Sequence, residues 1–178
     1  MRWIVHGERS VYTSPWVELR LADVEIPGGE RFEHHVVRVP REAAGCVVHD
    51  PDRGVLLLWR HRFITDTWGW EIPAGALDYG ESPADAAERE VWEETGWRPG
   101  PLEPLVTYQP SNGLSDQRFH VFLARGARRE GDPVDVGEAE RIAWRSAAEV
   151  RTDIERNEVP DGLSLTALLY ALAFGRIR

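Results

Sequence analysis

The residues with the most evident chemical potential form an acidic stretch in the middle of the chain, REVWEETG. Its glutamates Glu90, Glu93 and Glu94 lie close together in a chain whose formal net charge is already −9. On a helix, residues three or four apart share a face, so these carboxylates would project from one side. Clustered hard oxygen atoms suit Mg²⁺ or Mn²⁺. The stretch is therefore either a solvated helix face or one wall of a cation site.

Two features around the stretch favour the cation site. Segment 81–96 contains a single cation, Arg89, whereas a solvated helix usually intersperses lysines between its acids. Arg89 can pair with Glu93 four residues on, which offsets only part of the repulsion. Upstream, the Pro73–Gly75 segment predicts a bend that could aim a backbone carbonyl at the same cation.

The flanks of the stretch predict that it is helical. Ser82 is a good N-cap, Pro83 suits the first helical position, and Asp85 stands where a capping box has a carboxylate. Gly96 is typical of the residue that ends a helix. The predicted helix would bury a small apolar stripe and leave its carboxylates at the rim.

Strands and two further helices are predicted around this helix from alternation and turn signals. The predicted strands span residues 17–26, 31–39, 43–50, 54–62, 104–109, 117–124 and 141–144. The further helices span 147 to about 158 and 163–174. The apolar run Val55–Leu58 predicts a strand covered on both faces. Hairpins with few helices indicate an α+β fold rather than a regular βαβ pattern.

The composition limits which binding partners and which cellular location are expected. The 178 residues can bury a sizeable core, and the negative charge argues against a nucleic-acid polymer as partner. The single cysteine, Cys46, excludes an internal disulfide, and its small apolar neighbours predict a buried thiol. No targeting segment is visible, and the apolar run near the C-terminus is too short to cross a bilayer, so no membrane partner and a cytoplasmic location are expected.

Together with its flanks, the acidic stretch resembles the Nudix box. The matching positions are Gly75, Glu81, Arg89, Glu90, Glu93, Glu94 and Gly96. Every fixed position of that signature is present, and the one departure, Trp97 in place of an aliphatic residue, affects packing rather than chemistry. The segments RHRF, WGWEIPAGALDYGES and YQPSNGLSDQRFHVFLA are similar to the ADP-ribose pyrophosphatase branch, in which a proline such as Pro110 follows the box.

The resemblance implies an α/β/α sandwich around a mixed β-sheet, with an N-terminal antiparallel β-hairpin region. Residues 1–40 would form that N-terminal region, which could exchange strands in a dimer and recognise one end of the substrate. Residues 41–178 would form the catalytic domain. Many members of this branch are homodimers, so a homodimer is expected.

The resemblance also implies a Mg²⁺ site, with Mn²⁺ as an alternative metal. Glu90 and Glu94 would be the main ligands and the Ala74 carbonyl a third. Glu93 would bind the metal or a bridging water, and Glu81 would be an outer ligand or orient one. Arg89 would hold the glutamates by salt bridges; the alternative is a simple surface cation.

A general base and substrate contacts are expected on other segments. The loop acids Glu138 and Glu140 are candidate bases, although either could be solvated surface, and Glu93 competes with them. Arg60 and Arg62 could meet phosphates or a carboxylate such as Glu71. Trp68 and Trp70 could stack on a base, although most of the eight tryptophans are better explained as core. The loop that would meet the terminal ribose contains Ser111, Gly113 and Ser115.

The function implied by the resemblance is Mg²⁺-dependent hydrolysis of the diphosphate bond in a nucleoside diphosphate linked to another group. ADP-ribose, giving AMP and ribose 5-phosphate, is the first choice of substrate. One alternative is a Nudix hydrolase for another nucleotide, such as a sugar nucleotide or an oxidised nucleoside triphosphate. The other is a non-catalytic Nudix ligand-sensing module, against which the intact glutamate set argues.

Overall fold

A computed structural model describes residues 1–135 and 137–178 of the chain, which form two compact units. The first unit comprises Met1–Glu42 and Gln109–Arg118. The second comprises Ala43–Tyr108 and Phe119–Arg178. In the part of the chain that the structure describes, no helix is long and apolar enough to cross a membrane.

The first unit contains a three-stranded antiparallel sheet in the order β1-β2-β3. The strands are β1 (Ile4–Thr13), β2 (Glu18–Glu25) and β3 (Arg31–Arg38). The expected hairpin of β2 and β3 is present, and Gly28 in its turn has a φ of 75°. β1 was not predicted, because two register shifts in its pairing with β2 interrupt the alternation that reveals a strand.

The second unit is built on a seven-stranded mixed sheet in which β4 and β10 are parallel and the other pairs antiparallel. Five strands follow the order β12-β5-β4-β10-β9, while β6 pairs with β5 and β7 with β4. The sheet strands are β4 (Ala43–Asp50), β5 (Gly54–Arg62), β6 (Thr67–Glu71), β7 (Ala74–Ala76), β9 (Leu102–Tyr108), β10 (Phe119–Arg125) and β12 (Arg141–Arg145). A separate two-stranded sheet joins β8 (Trp97–Pro99) and β11 (Ala127–Arg129).

The helices are α1 (Pro83–Thr95), α2 (Ala147–Glu155) and α3 (Gly162–Ala173). The Ser82 hydroxyl accepts the Asp85 N–H, and Gly96, with a φ of 72°, ends α1, so both predicted ends are confirmed. α2 ends earlier than predicted, because the chain turns at Asn157, whose φ is 57°. The three-residue strands β7, β8 and β11 were not predicted, because they are too short to show a period. The five-residue strand β6 was not predicted either.

Two apolar clusters show how the sheet of the second unit is covered. One joins Val47 and Leu57 to Leu168 of α3 and Val150 of α2. The other joins Cys46, Val48 and Leu56 of the sheet to the Ala86, Ala87 and Val91 side of α1. Neighbouring residues on one strand point to opposite faces, so α1 lies on one face and α2 and α3 on the other. This confirms the α/β/α sandwich, the fully buried Val55–Leu58 run and the buried thiol.

Strands β4 and β5 pair only near their connecting turn, through His49 with Val55 and Asp50 with Gly54. Farther along, β7 pairs with β4 at residues Ala43–Gly45, and β6 pairs with β5. The two central strands therefore diverge, and the short β7 brings the Ala74–Ala76 backbone beside the start of β4. Because α1 packs on this face of the sheet, its glutamates lie next to β7.

Candidate active site

Gly75 of β7 and the Glu90 carboxylate of α1 are packed closely. A Cβ built on Gly75 would collide with the Glu90 carboxylate. The neighbouring Ala74 N–H donates a hydrogen bond of 3.0 Å to the Glu94 Oε2. At the predicted bend, the backbone of residues 74 and 75 therefore lies against Glu90 and Glu94, which are one helical turn apart on α1.

Arg89 lies among three glutamates. Its Nε donates to the Glu81 Oε1 at 2.9 Å, and its Nη1 donates to Glu90 at 2.7 Å and to Glu93 at 2.9 Å. Its Nη2 donates to the Ala76 carbonyl at 3.1 Å. These partners, Glu81 foremost, raise the pKa of the guanidinium above its ordinary value. The expected pair with Glu93 is present, and the same guanidinium ties the two ends of the acidic segment together.

Glu94 is the most deeply buried acid of the cluster, with 2% of its surface exposed. Burial raises the pKa of its carboxyl above the ordinary value, while the Arg60 guanidinium acts against that rise. Burial also raises the pKa of Glu90; Arg89 opposes this, and the charges of Glu93 and Glu138 add to it. Ionised carboxylates in such a setting need nearby positive charge, because their hydration has been lost.

Arg60, at the end of β5, supplies positive charge to Glu94. Its guanidinium is 3% exposed and is paired with Glu94 and, at 3.2 Å, with the Glu138 carboxylate. Its Nε lies 4.0 Å from the Glu71 carboxylate. That buried Nε has no hydrogen-bond partner among the described residues. Arg60 was expected to meet either phosphates or a carboxylate, and in the structure it pairs with carboxylates.

The two loop acids differ in their surroundings. The Glu138 carboxylate accepts a hydrogen bond from Arg60. Its charge also contributes to the raised pKa of Glu90, for which burial is the largest cause. Glu138 therefore faces the acidic cluster. Glu140 is exposed, and its backbone N–H bonds the Trp59 carbonyl beside β12. The geometry therefore brings Glu138 to the cluster and leaves the Glu140 carboxylate at the surface.

Glu71 does not present a free carboxylate to a substrate. It is 2% exposed, and Arg62 donates to both of its oxygens at 2.5 to 3.2 Å. These bonds raise the pKa of Arg62, the hydrogen bond to Glu71 being the largest cause. The expected substrate contact of Glu71 is corrected to an internal ion pair, and the carboxylate alternative for Arg62 is the one observed.

Trp70 is corrected as well. It is 2% exposed, with the guanidinium carbons of Arg141 and Arg145 at 4.7 and 5.1 Å from its ring centroid, so a nucleobase has no access to the ring. Trp68 is half-exposed and lies nearly parallel to Trp59, with ring centroids 6.4 Å apart. Of these two tryptophans, Trp68 is therefore the one with an exposed indole face.

The three expected ribose-loop residues belong to the first unit, in the Gln109–Arg118 segment. Gly113 accepts a hydrogen bond of 3.0 Å from the His34 Nε2, and Ser115 accepts the Gln117 N–H at 3.1 Å. Both line a cleft of about 770 Å³ whose walls include Val24 and Val36 of the N-terminal sheet. Ser111 lies outside this lining, and its carbonyl accepts two backbone N–H groups that close the turn.

Four glutamates around Arg89, here called the acidic wall, have the chemistry that suits a hard divalent cation. Glu81, Glu90, Glu93 and Glu94 supply only oxygen, and the Gly75 contact keeps the Glu90 carboxylate beside the backbone. Within residues 1–135 and 137–178, no three acid, histidine or cysteine side chains stand in a geometry that holds a metal. Arg60 and Arg89 lie between the carboxylates instead, which shows that the wall requires positive charge.

Residues 39–165 match the NUDIX domain family, and the chain belongs to this family, as the resemblance predicted. It is similar to the CMP-5'-(N-acetyl-N-hydroxy-3-aminopropyl)phosphonate hydrolase of Streptomyces rubellomurinus, with 42% identity over 178 residues that cover 100% of this chain and 86% of the relative. It is 30% identical to the ADP-ribose pyrophosphatase of Mycobacterium tuberculosis over 166 residues, which cover 92% and 80%.

A crystal structure of an ADP compounds hydrolase has the same fold. Its TM-score with this chain is 0.86 at 20% sequence identity, and the match covers 99% of this chain and 95% of the other. The family and the relatives support the coarse expectation of a Nudix hydrolase that acts on nucleotides.

The pairing of Arg60 with Glu94 was not predicted from the sequence. The signal available was the run LLLWR, because an arginine that ends a fully apolar strand needs an acidic partner. The partners, Glu94 and Glu138, are 34 and 78 positions away, so the pattern alone does not identify them.

Proposed function

We propose that this protein hydrolyses, with Mg²⁺, the phosphorus anhydride that joins a nucleoside 5′-monophosphate to a second group. The observation that carries the proposal is the wall formed by Glu81, Glu90, Glu93 and Glu94 around Arg89, with Gly75 in contact with Glu90. A solvated helix would have no need of the buried Glu94 or of a glycine opposite Glu90.

Each residue of the wall has a separate part in this proposal. Glu90, Glu94 and the Ala74 carbonyl would hold Mg²⁺, or Mn²⁺ in its place, with Glu93 and Glu81 as outer ligands. The metal, when bound, would neutralise charge on the anhydride and lower the pKa of a bound water. Arg89 would keep Glu81, Glu90 and Glu93 in place, because it bonds all three.

We favour Glu138 as the general base over Glu140, because only the Glu138 carboxylate contacts Arg60 in the acidic cluster. Glu93 remains the rival, although Arg89 holds one of its oxygens at 2.9 Å. Single changes to glutamine separate the three: loss of kcat is expected for Glu138→Gln and a near-normal rate for Glu140→Gln. A near-normal kcat in Glu138→Gln would contradict this assignment and leave Glu93 as the candidate base.

The relatives support two candidate substrates within the proposed class. Higher identity and full-length coverage rank a CMP-linked phosphonate first, and the similarity to an ADP-ribose pyrophosphatase ranks ADP-ribose second. Both compounds carry a nucleoside 5′-monophosphate that would leave as CMP or AMP. The exposed face of Trp68 could stack on a base, whereas Trp70 cannot.

The test is a substrate panel with purified protein and Mg²⁺. The panel contains a CMP-linked phosphonate, ADP-ribose, sugar nucleotides, dinucleotides and an oxidised nucleoside triphosphate, and release of the nucleoside monophosphate is measured by chromatography. Release from one of the first two compounds supports the proposal, and preference for a triphosphate favours the other hydrolase alternative. Thermal stabilisation by a compound without any product would instead indicate a ligand-sensing module.

Glu94→Gln tests the metal assignment within the same assay. The change removes the charge of a buried carboxylate and keeps its shape, so we expect kcat/KM to fall about 100-fold or more. Circular dichroism should show a folded protein. Glu155→Gln, at an exposed position of α2, is the matched control and should keep its activity. An unchanged rate in Glu94→Gln would contradict the assignment.

A further inference from the structure

Arg60 is a buried cation held between acids from two different elements. Glu94 belongs to α1, whereas Glu138 belongs to the loop before β12. The Arg60 side chain is 4% exposed and that of Glu94 1%, so their attraction is little screened by water. One guanidinium thus links the position of the loop acid to that of the helix acid.

Both oxygens of Glu94 already have partners. Arg60 bonds the Oε1, and the Ala74 N–H bonds the Oε2 at 3.0 Å. A carboxylate oxygen can accept more than one partner, but a divalent cation on Glu94 and the Arg60 guanidinium repel each other, so binding of the cation favours departure of the guanidinium. The backbone N–H of Ala74 is fixed by the pairing of β7 with β4, whereas the Arg60 guanidinium is the flexible end of a side chain.

Arg60 also has a second acid within reach. Its Nε is buried and has no hydrogen-bond partner in the described part of the chain, and this atom lies 4.0 Å from the Glu71 Oε2. A hydrogen bond of this kind has a length of about 2.9 Å, so a shift of roughly 1 Å would complete it. The guanidinium can leave Glu94 without losing all of its acidic partners.

We propose that Arg60 is an internal counter-ion that a divalent cation displaces from Glu94, and that this displacement also changes the hold on Glu138. The inference rests on the proposed function, since it needs a cation to bind the acidic wall. Arg60 is then a positioning residue: it neutralises Glu94 in the metal-free protein and shifts towards Glu71 when the cation binds. Metal occupancy and the position of the loop acid become coupled through one side chain.

Titration with Mg²⁺ alone tests the competition. In Arg60→Gln the competitor is absent, so we expect a Kd for Mg²⁺ about tenfold lower than in the unmodified protein, within the usual range of coupling between sites. The metal-free variant should melt at a lower temperature, and Mg²⁺ should raise that temperature by more than in the unmodified protein. Calorimetry and thermal unfolding measure these effects.

Arg145→Gln is the matched control for loss of a buried ion pair. Arg145 bonds Asp153, which is 2% exposed, at 2.7 and 3.0 Å. This variant should also melt at a lower temperature without metal, but its Kd for Mg²⁺ should equal that of the unmodified protein. An equal or higher Kd in Arg60→Gln would overturn the proposal, because a purely structural arginine does not compete with the cation.

A second measurement on the unmodified protein does not depend on the folding of Arg60→Gln. The Nε–H resonance of Arg60 in a ¹H–¹⁵N spectrum can be assigned by its absence in Arg60→Lys. Saturation with Mg²⁺ should shift this resonance as the Nε gains Glu71 as a partner. A resonance that stays in place while Mg²⁺ binds would overturn the proposal.

These experiments use no substrate, so the two proposals can fail separately. Competition with no hydrolysis of any compound would leave this inference standing and contradict the proposed function. Normal hydrolysis with equal Mg²⁺ affinity in Arg60→Gln would contradict this inference alone. Absence of any Mg²⁺ binding would overturn both, since Arg60 would have nothing to compete with.

Discussion

At the scale of single residues, Gly75 shows how a missing side chain shapes the site. The Glu90 carboxylate occupies the space that a Cβ at Gly75 would take, and the same strand offers the Ala74 N–H to Glu94. Because Gly75 has no side chain, the Glu90 carboxylate of α1 can lie directly against β7. The Nudix box glycine of this chain therefore positions two of the acids proposed to bind metal.

We predict that Gly75→Ala destabilises the protein and lowers its activity. The added methyl group must push the Glu90 carboxylate away, and because this carboxylate is the end of a flexible side chain we expect a cost of about 1 kcal/mol, at the low end for overpacking, with the larger effect on activity. Urea unfolding measures the loss, and the hydrolysis assay measures the effect on the site. Gly162→Ala is the control, because a Cβ at Gly162 meets nothing within 4 Å. Equal activity of the two variants would contradict the packing argument, because it would show that Glu90 does not depend on the space at Gly75.

Cys46 gives a prediction for the pH dependence of stability. Burial raises the pKa of its thiol from an ordinary 9.0 to about 12. Above pH 9 the unfolded chain releases this proton while the folded chain keeps it, so stability is full below pH 9 and declines as pH rises towards 12. We expect the free energy of unfolding to lose about 1.4 kcal/mol between pH 8 and pH 10 from this group.

The measurement compares urea unfolding at pH 8 and pH 10 for the unmodified protein and for Cys46→Ala. The other ionisable groups titrate equally in the two proteins. The difference in pH dependence between the two proteins therefore reports the contribution of the Cys46 thiol. The cost of the substitution itself cancels, because it is the same at both pH values. Identical pH dependences would show that the folded protein does not suppress ionisation of Cys46.

At the scale of elements, α1 carries the acidic wall and is fixed at both ends. The Ser82 hydroxyl accepts the Asp85 N–H at 3.2 Å and donates to the Asp85 carboxylate at 2.7 Å. At the other end, the Gly96 N–H bonds the Trp92 carbonyl at 2.8 Å. The buried Ala86, Ala87 and Val91 hold the helix on the sheet. Caps and packing together decide which side of α1 faces β7.

We predict that Ser82→Ala lowers the free energy of unfolding by about 1 kcal/mol, the usual cost of a lost N-cap. The reason is that the Asp85 N–H loses its acceptor at the start of α1. Chemical denaturation measures the change. Ser82→Thr keeps a hydroxyl at the same position and should stay within a few tenths of a kcal/mol of the unmodified protein. A Thr variant as unstable as the Ala variant would argue against the cap.

At the scale of the whole molecule, the N-terminal sheet leaves apolar surface uncovered. All ten residues of β1 are exposed, and this strand is the edge of its sheet. Its exposed side chains include Ile4, Val5, Val11 and Tyr12. An exposed edge strand with apolar side chains can serve as a template for pairing with another chain. This surface supports the proposal that the protein is a homodimer.

Light scattering should accordingly give twice the chain mass of 20.2 kDa. Val11→Glu places a charge on the exposed face of β1, so it should shift the mass towards that of the monomer. Val134→Glu makes the same change at an exposed position of the second unit and should leave the dimer intact. A monomeric unmodified protein would contradict the proposal.

The predictable part of the fold follows from local rules. Residues 43–50 and 54–62 alternate or run apolar between turn signals, and their strand bounds agree with the structure. α1 was predictable because a cap, a proline and a glycine mark its ends. β1 and the three-residue strands were not, because bulges and short length erase the period. For the same reason, the divergence of β4 and β5 around β6 and β7 has no sequence signal.

The spacing of Glu90, Glu93 and Glu94 by itself determined that the acids share a helix face, and the glycine and arginine positions determined the family. Only the tertiary structure decided which groups meet that face. It buried Trp70 and Glu71, brought Glu138 rather than Glu140 to the cluster, and placed Arg60 on Glu94. The physical reason is that helix spacing is local, whereas the burial of a charge depends on residues that chain folding brings together from distant positions.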